Sequence, residues 1–92
     1  MIQSFADPDT AQLFTTEKSR RFSAITRVAL RKLIQLNRAG TLQDMAVPPG
    51  NRLEALKGDY VGFHSIRVND QWRIVFRWSA DGAGSVTIVD YH

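Results

Sequence analysis

A period of two in the second half of the chain constrains the fold more than any other feature of the sequence. Between residues 64 and 91, side chains of two kinds alternate in three successive runs. The mainly apolar positions of these runs are His64, Ile66 and Val68, then Trp72, Ile74, Phe76 and Trp78, then Val86 and Ile88. Successive side chains of a strand point to opposite faces, so this pattern is typical of antiparallel strands with one buried face. The sequence therefore predicts three antiparallel strands that share a core face.

The connection between the first two of these strands sets their register. A three-residue loop, residues 69–71, pairs Val68 with Trp72 and keeps both on the core face, whereas a two-residue loop would pair Arg67 with Trp72. We therefore predict the three-residue loop, which places Arg67 directly opposite Arg73. Like charges in that position destabilise a strand pair.

Three arginines thus fall on the predicted outer face of the sheet, at Arg67, Arg73 and Arg77. Because the opposed charges repel each other, this face favours an anion. Together with the family resemblance given below, it becomes a candidate RNA-binding surface. On this interpretation, removing Arg73 should relieve repulsion and leave the fold at least as stable. The alternative is that the three long side chains extend separately into water at little cost.

The first half of the chain has fewer strand-like features. Residues 1–6 alternate enough to form a short first strand, which Asp7-Pro8-Asp9 should end. A short helix should follow, with Asp9 or Thr10 as its N-cap. Farther along the chain, residues 41–51 are typical of a loop with polyproline-like conformation.

A second, longer helix is predicted from an N-cap at Ser23 to about Ala39, with Gly40 as its stop. Its buried face consists of apolar residues at helical spacing, namely Ile25, Val28, Ala29, Leu33 and Leu36. If the helix extended back to residue 20, its arginines would share one opposite stripe, namely Arg20, Arg27, Arg31 and Arg38. Such a stripe is either a solvated face or a contact surface for ribosomal RNA, where phosphate neutralisation dominates affinity.

Two more local predictions concern the strands. Residues 52–56 should form a strand that ends at the turn Lys57-Gly58-Asp59. Gly82-Ala83-Gly84 should form the loop of the last hairpin, with Ile88 paired to Phe76. That register would place Tyr91 opposite Arg73 on the outer face.

Composition limits the class of protein. The chain has 92 residues, which suits a single domain over residues 1–92, and it has no cysteine to form a disulfide or a thiolate zinc site. Its net charge of +3 favours nucleic acid or an acidic protein as a partner. The N-terminal residues lack the apolar run of a signal peptide, and we expect a cytoplasmic protein that does not engage a membrane.

The residues that could carry chemistry fit metal-free cleavage of RNA. This reaction needs a base for the ribose 2′-hydroxyl, an acid for the leaving oxygen, and cations for the charge on the phosphate. Asp90 and His92 are candidates for proton transfer, and Tyr91 for stacking or proton donation. Lys57 and Arg73 are candidates for charge stabilisation, with Arg67 as a further one. The simplest alternative for the last three residues is a frayed terminus.

The other histidine of the chain, His64, shows no comparable sign of a catalytic role. His64 lies on the predicted core face, where we expect a hydrogen-bonded structural histidine. A metal site formed by His64, Asp90 and His92 lacks recognisable ligand spacing, so we expect neither a metal nor another cofactor.

Four segments in order resemble HigB-type toxins of the RelE-like toxin–antitoxin family, close to the GraT toxin. They are residues 1–5 (MIQSF), 49–59 (PGNRLEALKGD), 64–76 (HSIRVNDQWRIVF) and 89–92 (VDYH). The resemblance covers essentially the whole chain. Its most specific parts are the central SIRVNDQWRI stretch and the terminal DYH.

The resemblance implies an α+β fold with two N-terminal helices packed on an antiparallel β-sheet. It implies an endoribonuclease that cleaves mRNA in the ribosomal A site without a metal, and that is neutralised by a HigA-like helix-turn-helix antitoxin, which also represses the operon. The family's functional positions correspond to Lys57, Arg73, Asp90, Tyr91 and His92. Some members carry histidine where this chain has Glu54, which leaves a role for Glu54 open.

Two other functions remain open at this point. ParE-type toxins share the architecture but inhibit DNA gyrase, although the terminal Tyr-His and Lys57 argue against this alternative. A non-catalytic basic module could instead bind the ribosome or nucleic acid and inhibit translation without cutting RNA.

Overall fold

The computed structural model describes residues 1–90, which form two helices packed on one face of an antiparallel sheet. The helices are α1 (Pro8–Thr16) and α2 (Thr26–Arg38), and the strands are β1 (Glu54–Ala55), β2 (Phe63–Arg67), β3 (Trp72–Ser79) and β4 (Gly82–Asp90). Each strand pairs with its neighbour in the chain, in the order β1-β2-β3-β4. The predicted α+β architecture is confirmed. Among the helices of residues 1–90, none combines the length and apolar character needed to cross a bilayer.

The core lies between the helices and the even-numbered face of β2 and β3. The fully buried large side chains on the helical side are Leu13, Phe22, Leu33 and Leu36. On the sheet side they are Ile66, Ile74, Phe76, Val86 and Ile88. Trp72 closes one end of this core with its ring edge-on to Phe22 at a centroid distance of 5.4 Å. The alternation in the sequence thus predicted the core face correctly.

The N-terminal segment runs along the outer edge of β4. The Gln3 N–H donates to the Ala83 carbonyl at 2.7 Å, and the Ala6 N–H donates to the Val86 carbonyl at 2.9 Å. A parallel bridge joins Phe5 to Val86. The predicted first strand is therefore an extended segment with isolated pairing, and it covers the edge that β4 would otherwise expose.

Helix α1 begins earlier than predicted, because Asp7 is its N-cap. One carboxylate oxygen of Asp7 accepts from the Thr10 N–H at 2.9 Å, and the other accepts from the Thr10 and Thr87 hydroxyls at 2.7 Å each. Pro8 occupies the first turn, where its missing N–H costs nothing. Burial raises the pKa of the Asp7 carboxyl, but the hydrogen bonds from Thr87 and Thr10 outweigh it and hold the pKa below its ordinary value.

Helix α2 begins at Thr26, and the predicted N-cap at Ser23 is wrong. The N-cap is Ile25, whose N–H donates to the Phe22 carbonyl at 2.9 Å in a preceding turn. This turn lets the Phe22 ring enter the core, and that burial outweighs the capping preference of serine. The helix ends at Arg38 with Ala39 as an extended C-cap, so Gly40 is not its stop.

The segment between α2 and β1 contains two 3₁₀ turns, Leu42–Ala46 and Pro49–Asn51, where a loop was predicted. Its anchor is Asn51, which is fully buried and accepts a hydrogen bond from the Lys32 ammonium. The Asn51 amide also donates to the Met45 carbonyl at 3.1 Å. Burial, followed by the positive charges of Arg31 and Arg67, lowers the pKa of Lys32.

The predicted register of the first long hairpin is confirmed. Arg67 is the partner of Arg73, and the Val68 N–H donates to the Trp72 carbonyl at 2.9 Å. The strand predicted over residues 52–56 is shorter, because only Glu54–Ala55 pairs with β2.

The predicted register of the second hairpin is wrong. Gly82–Gly84 belongs to β4, and the turn is formed by residues 80–81, because Ser79 pairs with Gly82. A bulge then shifts the register, and Ser85 adopts a left-handed conformation with φ 49°. As a result Ile88 pairs with Ile74, and Val89, not Tyr91, is the partner of Arg73.

Candidate functional site

Arg73 is the centre of a buried polar cluster on the outer face of the sheet, the face turned away from the helices. Only 7% of its surface is exposed. Its Nε donates to the Ser65 hydroxyl at 2.9 Å, and one terminal nitrogen donates to the Arg52 carbonyl at 2.7 Å. The same nitrogen lies 3.9 Å from a Glu54 carboxylate oxygen. Arg73 therefore links β3 to β2 and to the segment that leads into β1.

Neighbouring groups of the protein offset the repulsion expected between Arg67 and Arg73. Arg67 forms a hydrogen-bonded ion pair with Asp70 in the loop that follows its strand. Arg73 turns toward Ser65, Arg52 and Glu54, as described above. These contacts argue against the prediction that removing Arg73 would relieve repulsion, because its side chain donates to buried acceptors. Arg77, in contrast, is exposed on the same face.

Next to this cluster, the outer face carries a cleft with a volume of about 430 Å³. Its walls come from the β1–β2 connection and from the neighbouring strands β3 and β4: Leu56, Lys57, Tyr60, Val75, Thr87, Val89 and Asp90. The floor is largely apolar, and the charged residues in its lining are Lys57 and Asp90. Asp90 also accepts a hydrogen bond from the Gln71 amide at 3.2 Å.

The shape of the cleft depends on the connection between β1 and β2. Gly58 and Gly62 have φ values of 65° and 92°, which glycine adopts at little cost; Gly58 begins the 3₁₀ turn Gly58–Tyr60, and Gly62 follows it. The Leu56 N–H donates to the Phe63 carbonyl at 2.9 Å and closes the base of the connection. This geometry folds the connection over the sheet and brings Lys57 to the cleft.

The structure brings some of the predicted catalytic residues together. Lys57 and Asp90 line the same cleft. Arg73 is adjacent to it, because its strand partner Val89 forms part of the lining. Tyr91 and His92 lie outside the described residues, so their assignment remains a prediction.

The predicted basic stripe is only partly helical. Arg27, Arg31 and Arg38 are exposed on α2, whereas Arg20 lies before the helix begins and is not on the same face by helical spacing. Arg31 and Arg38 border a second groove of about 420 Å³, on the helical layer and not on the outer face of the sheet. The arginines of α2 and the cleft therefore form two separate surfaces.

His64 does not contribute to the cleft, because its ring stacks on the core residue Phe76 at a centroid distance of 6.3 Å. The expectation of a hydrogen-bonded histidine is wrong for one ring nitrogen: Nδ1 is buried and has no hydrogen-bond partner within residues 1–90. Over the same range, no three His, Cys, Asp or Glu side chains are placed to hold a metal ion. The metal site considered from the sequence, formed by His64, Asp90 and His92, includes His92, which lies outside the described residues.

Several residues of the site were not found from the sequence. Ser65 and the Arg52 carbonyl hold Arg73, and Tyr60 forms a wall of the cleft. Glu54, whose role was left open, lies beside Arg73. The available signals were the confirmed register, which places Ser65 on the same face as Arg73, and an aromatic residue between two glycines in a connection.

Solved structures with the same architecture are bacterial toxins. The chain superposes on the YoeB–YefM complex from Staphylococcus aureus with a TM-score of 0.61 and 16% identity, over 100% of this chain and 98% of that one. It superposes on the YoeB dimer from the same organism with a TM-score of 0.56 and 17% identity, covering 99% and 97% of the two chains. At this identity the likeness establishes the fold alone, which is the RelE-like fold.

Sequence comparison defines the family more closely. Residues 3–92 match the family of HigB-like toxins, described as the RelE-like toxin of the type II toxin–antitoxin system HigB. Toxin HigB-1 of Vibrio cholerae serotype O1 is 39% identical over 94 aligned positions, which cover 100% of this chain and 98% of that protein. The chain belongs to the HigB-like family of type II toxins.

Proposed function

We propose that this toxin is a ribosome-dependent endoribonuclease, an mRNA interferase that cuts mRNA in the ribosomal A site and so inhibits translation. Toxins of the RelE, HigB and YoeB type generally cleave mRNA. The observation that carries the proposal for this chain is the outer-face cleft, which Lys57 and Asp90 both line and which lies beside the buried Arg73 cluster. A cleft with a cation at its wall suits a substrate that carries phosphates.

In the proposed reaction, the ribose 2′-oxygen attacks the adjoining phosphorus and the bond to the 5′-oxygen of the next nucleotide breaks. Asp90 and His92 exchange the protons that leave the 2′-hydroxyl and reach the 5′-oxygen. Lys57 stabilises the negative charge on the phosphate oxygens in the cleft, and Arg73 adds its positive charge from the buried cluster beside it. Tyr91 stacks on the substrate or donates to it. This assignment requires no metal or other cofactor in the chemical step.

RNA contacts outside the cleft are assigned to arginines on two surfaces. On the sheet they are Arg67 and Arg77, and on the helical side they are Arg20, Arg27, Arg31 and Arg38. The ion pair between Arg67 and Asp70 would have to open or share its charge for Arg67 to bind a phosphate. The exposed arginines of α2 need no such rearrangement.

The family supports further proposals about partners. We place the toxin in the cytoplasm as a single domain over residues 1–92, bound to the ribosome and mRNA or to a HigA-like helix-turn-helix antitoxin. Operator DNA would be contacted only through that antitoxin. One of the solved structures with this fold is itself a YoeB–YefM complex.

Primer extension on an mRNA translated in a purified system tests the proposal. His92→Ala should lower the cleavage rate by about 10²–10⁴-fold, the usual contribution of general acid–base catalysis, and removal of residues 91–92 should lower it further. Neither change should lower the melting temperature much, because Ile88 is the last buried core residue within residues 1–90.

Other outcomes of this experiment, together with a gyrase assay and a metal analysis of the isolated protein, identify the alternatives. Inhibited translation with intact mRNA would indicate a non-catalytic ribosome-binding module, and loss of gyrase activity without any effect on translation would indicate a ParE-type function. If the protein without Tyr91 and His92 cleaves mRNA as fast as the parent, the assigned catalytic site is contradicted. A stoichiometric transition metal held by His64 or His92 in the isolated protein would contradict the metal-free reaction.

A further inference from the structure

An exposed aromatic ring forms one wall of the outer-face cleft. Tyr60 is 56% exposed and lines the cleft together with Leu56 and Val75. Its ring meets the Phe63 ring edge to face, with centroids 5.7 Å apart and planes at 87°. Whichever of the two rings contributes its edge, this contact covers at most one flat face of the Tyr60 ring and leaves the other to a further planar group.

Tyr60 is held in place by its surroundings. Its N–H donates to the Lys57 carbonyl at 3.2 Å within the 3₁₀ turn that two glycines of positive φ enclose. Phe63, which supports the ring, lies in β2 and is covered by the Arg77 guanidinium at 6.0 Å from its centroid. The ring is therefore oriented before any ligand arrives, which reduces the entropy lost on binding.

The remaining lining describes the ligand that the cleft can take. Its floor is formed by apolar side chains such as Val75 and Val89, and the polar residues Thr87 and Asp90 also line it. Lys57 adds a positive charge. A nucleotide matches each feature, because its base has apolar faces and a polar edge, and its phosphate is an anion. The volume of about 430 Å³ falls within the range of roughly 300–1,000 Å³ typical of small-ligand sites.

We propose that this cleft is a nucleobase subsite, in which one base of a single-stranded RNA stacks on Tyr60 while Lys57 neutralises the adjoining phosphate. The inference rests on the proposed ribonuclease function and names a substrate-positioning residue for it. Tyr60 is assigned no part in proton transfer; it holds the base so that the neighbouring phosphate lies at the catalytic groups.

Methyl NMR of the full chain provides a direct test without ribosomes. Adenosine 5′-monophosphate should shift the methyl resonances of Val75, Thr87 and Val89 upfield, because a stacked base produces a ring current. Ribose 5-phosphate has the same phosphate without the base, and it should affect the Lys57 side chain and leave these methyl groups nearly unchanged. Equal shifts with both compounds would show a phosphate site and overturn the inference.

Substitutions at two adjacent exposed positions provide the matched control. Tyr60→Ala should weaken binding of adenosine 5′-monophosphate about 5- to 100-fold, in keeping with the contribution of one stacked base. Tyr60→Phe should restore binding to within about 2-fold, because the ring and not the hydroxyl makes the stack. Val61→Ala, next to it and 73% exposed, should bind like the parent. A Tyr60→Ala variant that binds with the affinity of the parent would overturn the inference. Methyl groups of the cleft that respond to no nucleotide would also overturn it and would indicate a protein as the occupant of the cleft.

Cleavage assays with the same variants separate this inference from the proposed function. If the parent cuts mRNA on the ribosome, Tyr60→Ala should raise KM or change the distribution of cut sites more than it lowers kcat. A parent that cuts and a Tyr60→Ala variant with identical kinetics and cut sites would overturn the subsite alone. A parent that binds nucleotides through Tyr60 but cuts no mRNA would support the nucleobase subsite and contradict the ribonuclease function.

Discussion

Arg73 lies on the face of β3 that alternation assigns to solvent, yet it is almost fully buried. Its guanidinium is covered because the segment entering β1 folds across the outer face and presents the Arg52 carbonyl and the Glu54 carboxylate. A buried cation is tolerated where acceptors replace the lost water. A residue that the sequence presents as a free positive charge thus also connects three segments of the sheet.

A substitution that keeps the length of the side chain tests this structural role. Arg73→Met should lower the free energy of unfolding by about 1–3 kcal/mol, because the Ser65 hydroxyl and the Arg52 carbonyl lose a charged donor. Arg77→Met removes an exposed arginine from the same strand and face, and should change that free energy by at most about 1 kcal/mol. Urea titrations of the two variants measure the difference. A variant Arg73→Met as stable as the parent would restore the view that the opposed arginines only repel.

At the scale of elements, the two hairpins show what the sequence could and could not predict. In the first hairpin, Val68 and Trp72 both had to face the core, and only one loop length allowed it, so the register was predictable. In the second, the glycines suggested a loop, whereas Gly82–Gly84 belongs to the strand and Ser85 forms a left-handed bulge. A bulge inserts one residue into one strand, so the core-facing positions change from odd (Ala83) to even (Val86 and Ile88) across it. The residues before the bulge are too small and too few to show this change of phase in the hydrophobic pattern.

The candidate site was predictable to a similar extent. The family resemblance identified Lys57, Arg73 and Asp90, and the structure brings the first and last to one cleft. The cover over Arg73 was not predictable, because its acceptors come from segments that are distant in sequence and that meet only in the folded sheet. Tyr60 was missed for the same reason, since exposure alone does not distinguish a cleft wall from an ordinary surface aromatic.

The junction between α1 and β4 leads to a prediction about pH. Asp7 caps α1 through Thr10 and also accepts from Thr87 in β4, so one carboxylate connects the helix to the sheet edge. Because its pKa is lowered in the folded protein, its contribution to stability is fully present above the ordinary value of 3.8 and is lost as the pH falls through the folded value.

Asp7→Ala should therefore lower the free energy of unfolding by about 1–3 kcal/mol near neutral pH, through loss of the cap and of the bond to Thr87. Asp7→Asn can still cap the helix but cannot ionise, so the parent should lose its advantage over this variant as the pH falls from about 6 to about 2. Urea denaturation across this range gives both results. A difference between the parent and Asp7→Asn that does not depend on pH would contradict the ionised role of Asp7.

At the scale of the whole molecule, the positive charge lies on two sides of a body of only 30 × 27 × 26 Å. The cleft with Lys57 is on the outer face of the sheet, and the exposed arginines of α2 are in the helical layer. An mRNA in the cleft would therefore leave α2 free to meet a second anionic surface. Under the proposed function, this second surface is ribosomal RNA, which α2 would bind by neutralising phosphates.

Changing Arg27 and Arg31 together to Glu tests that division between the two surfaces. Both residues are exposed, so each change should alter the free energy of unfolding by about 0.5 kcal/mol or less. Co-sedimentation with ribosomes should weaken, and its dependence on salt should become shallower by about 0.7–0.9 in log–log slope for each phosphate that the helix no longer neutralises. The double change of Lys18 and Arg21 to Glu alters the net charge equally outside α2, and should weaken co-sedimentation far less. If both double variants follow the parent across the salt series, the arginines of α2 are a solvated face, and the ribosome must be held by the sheet side of the molecule.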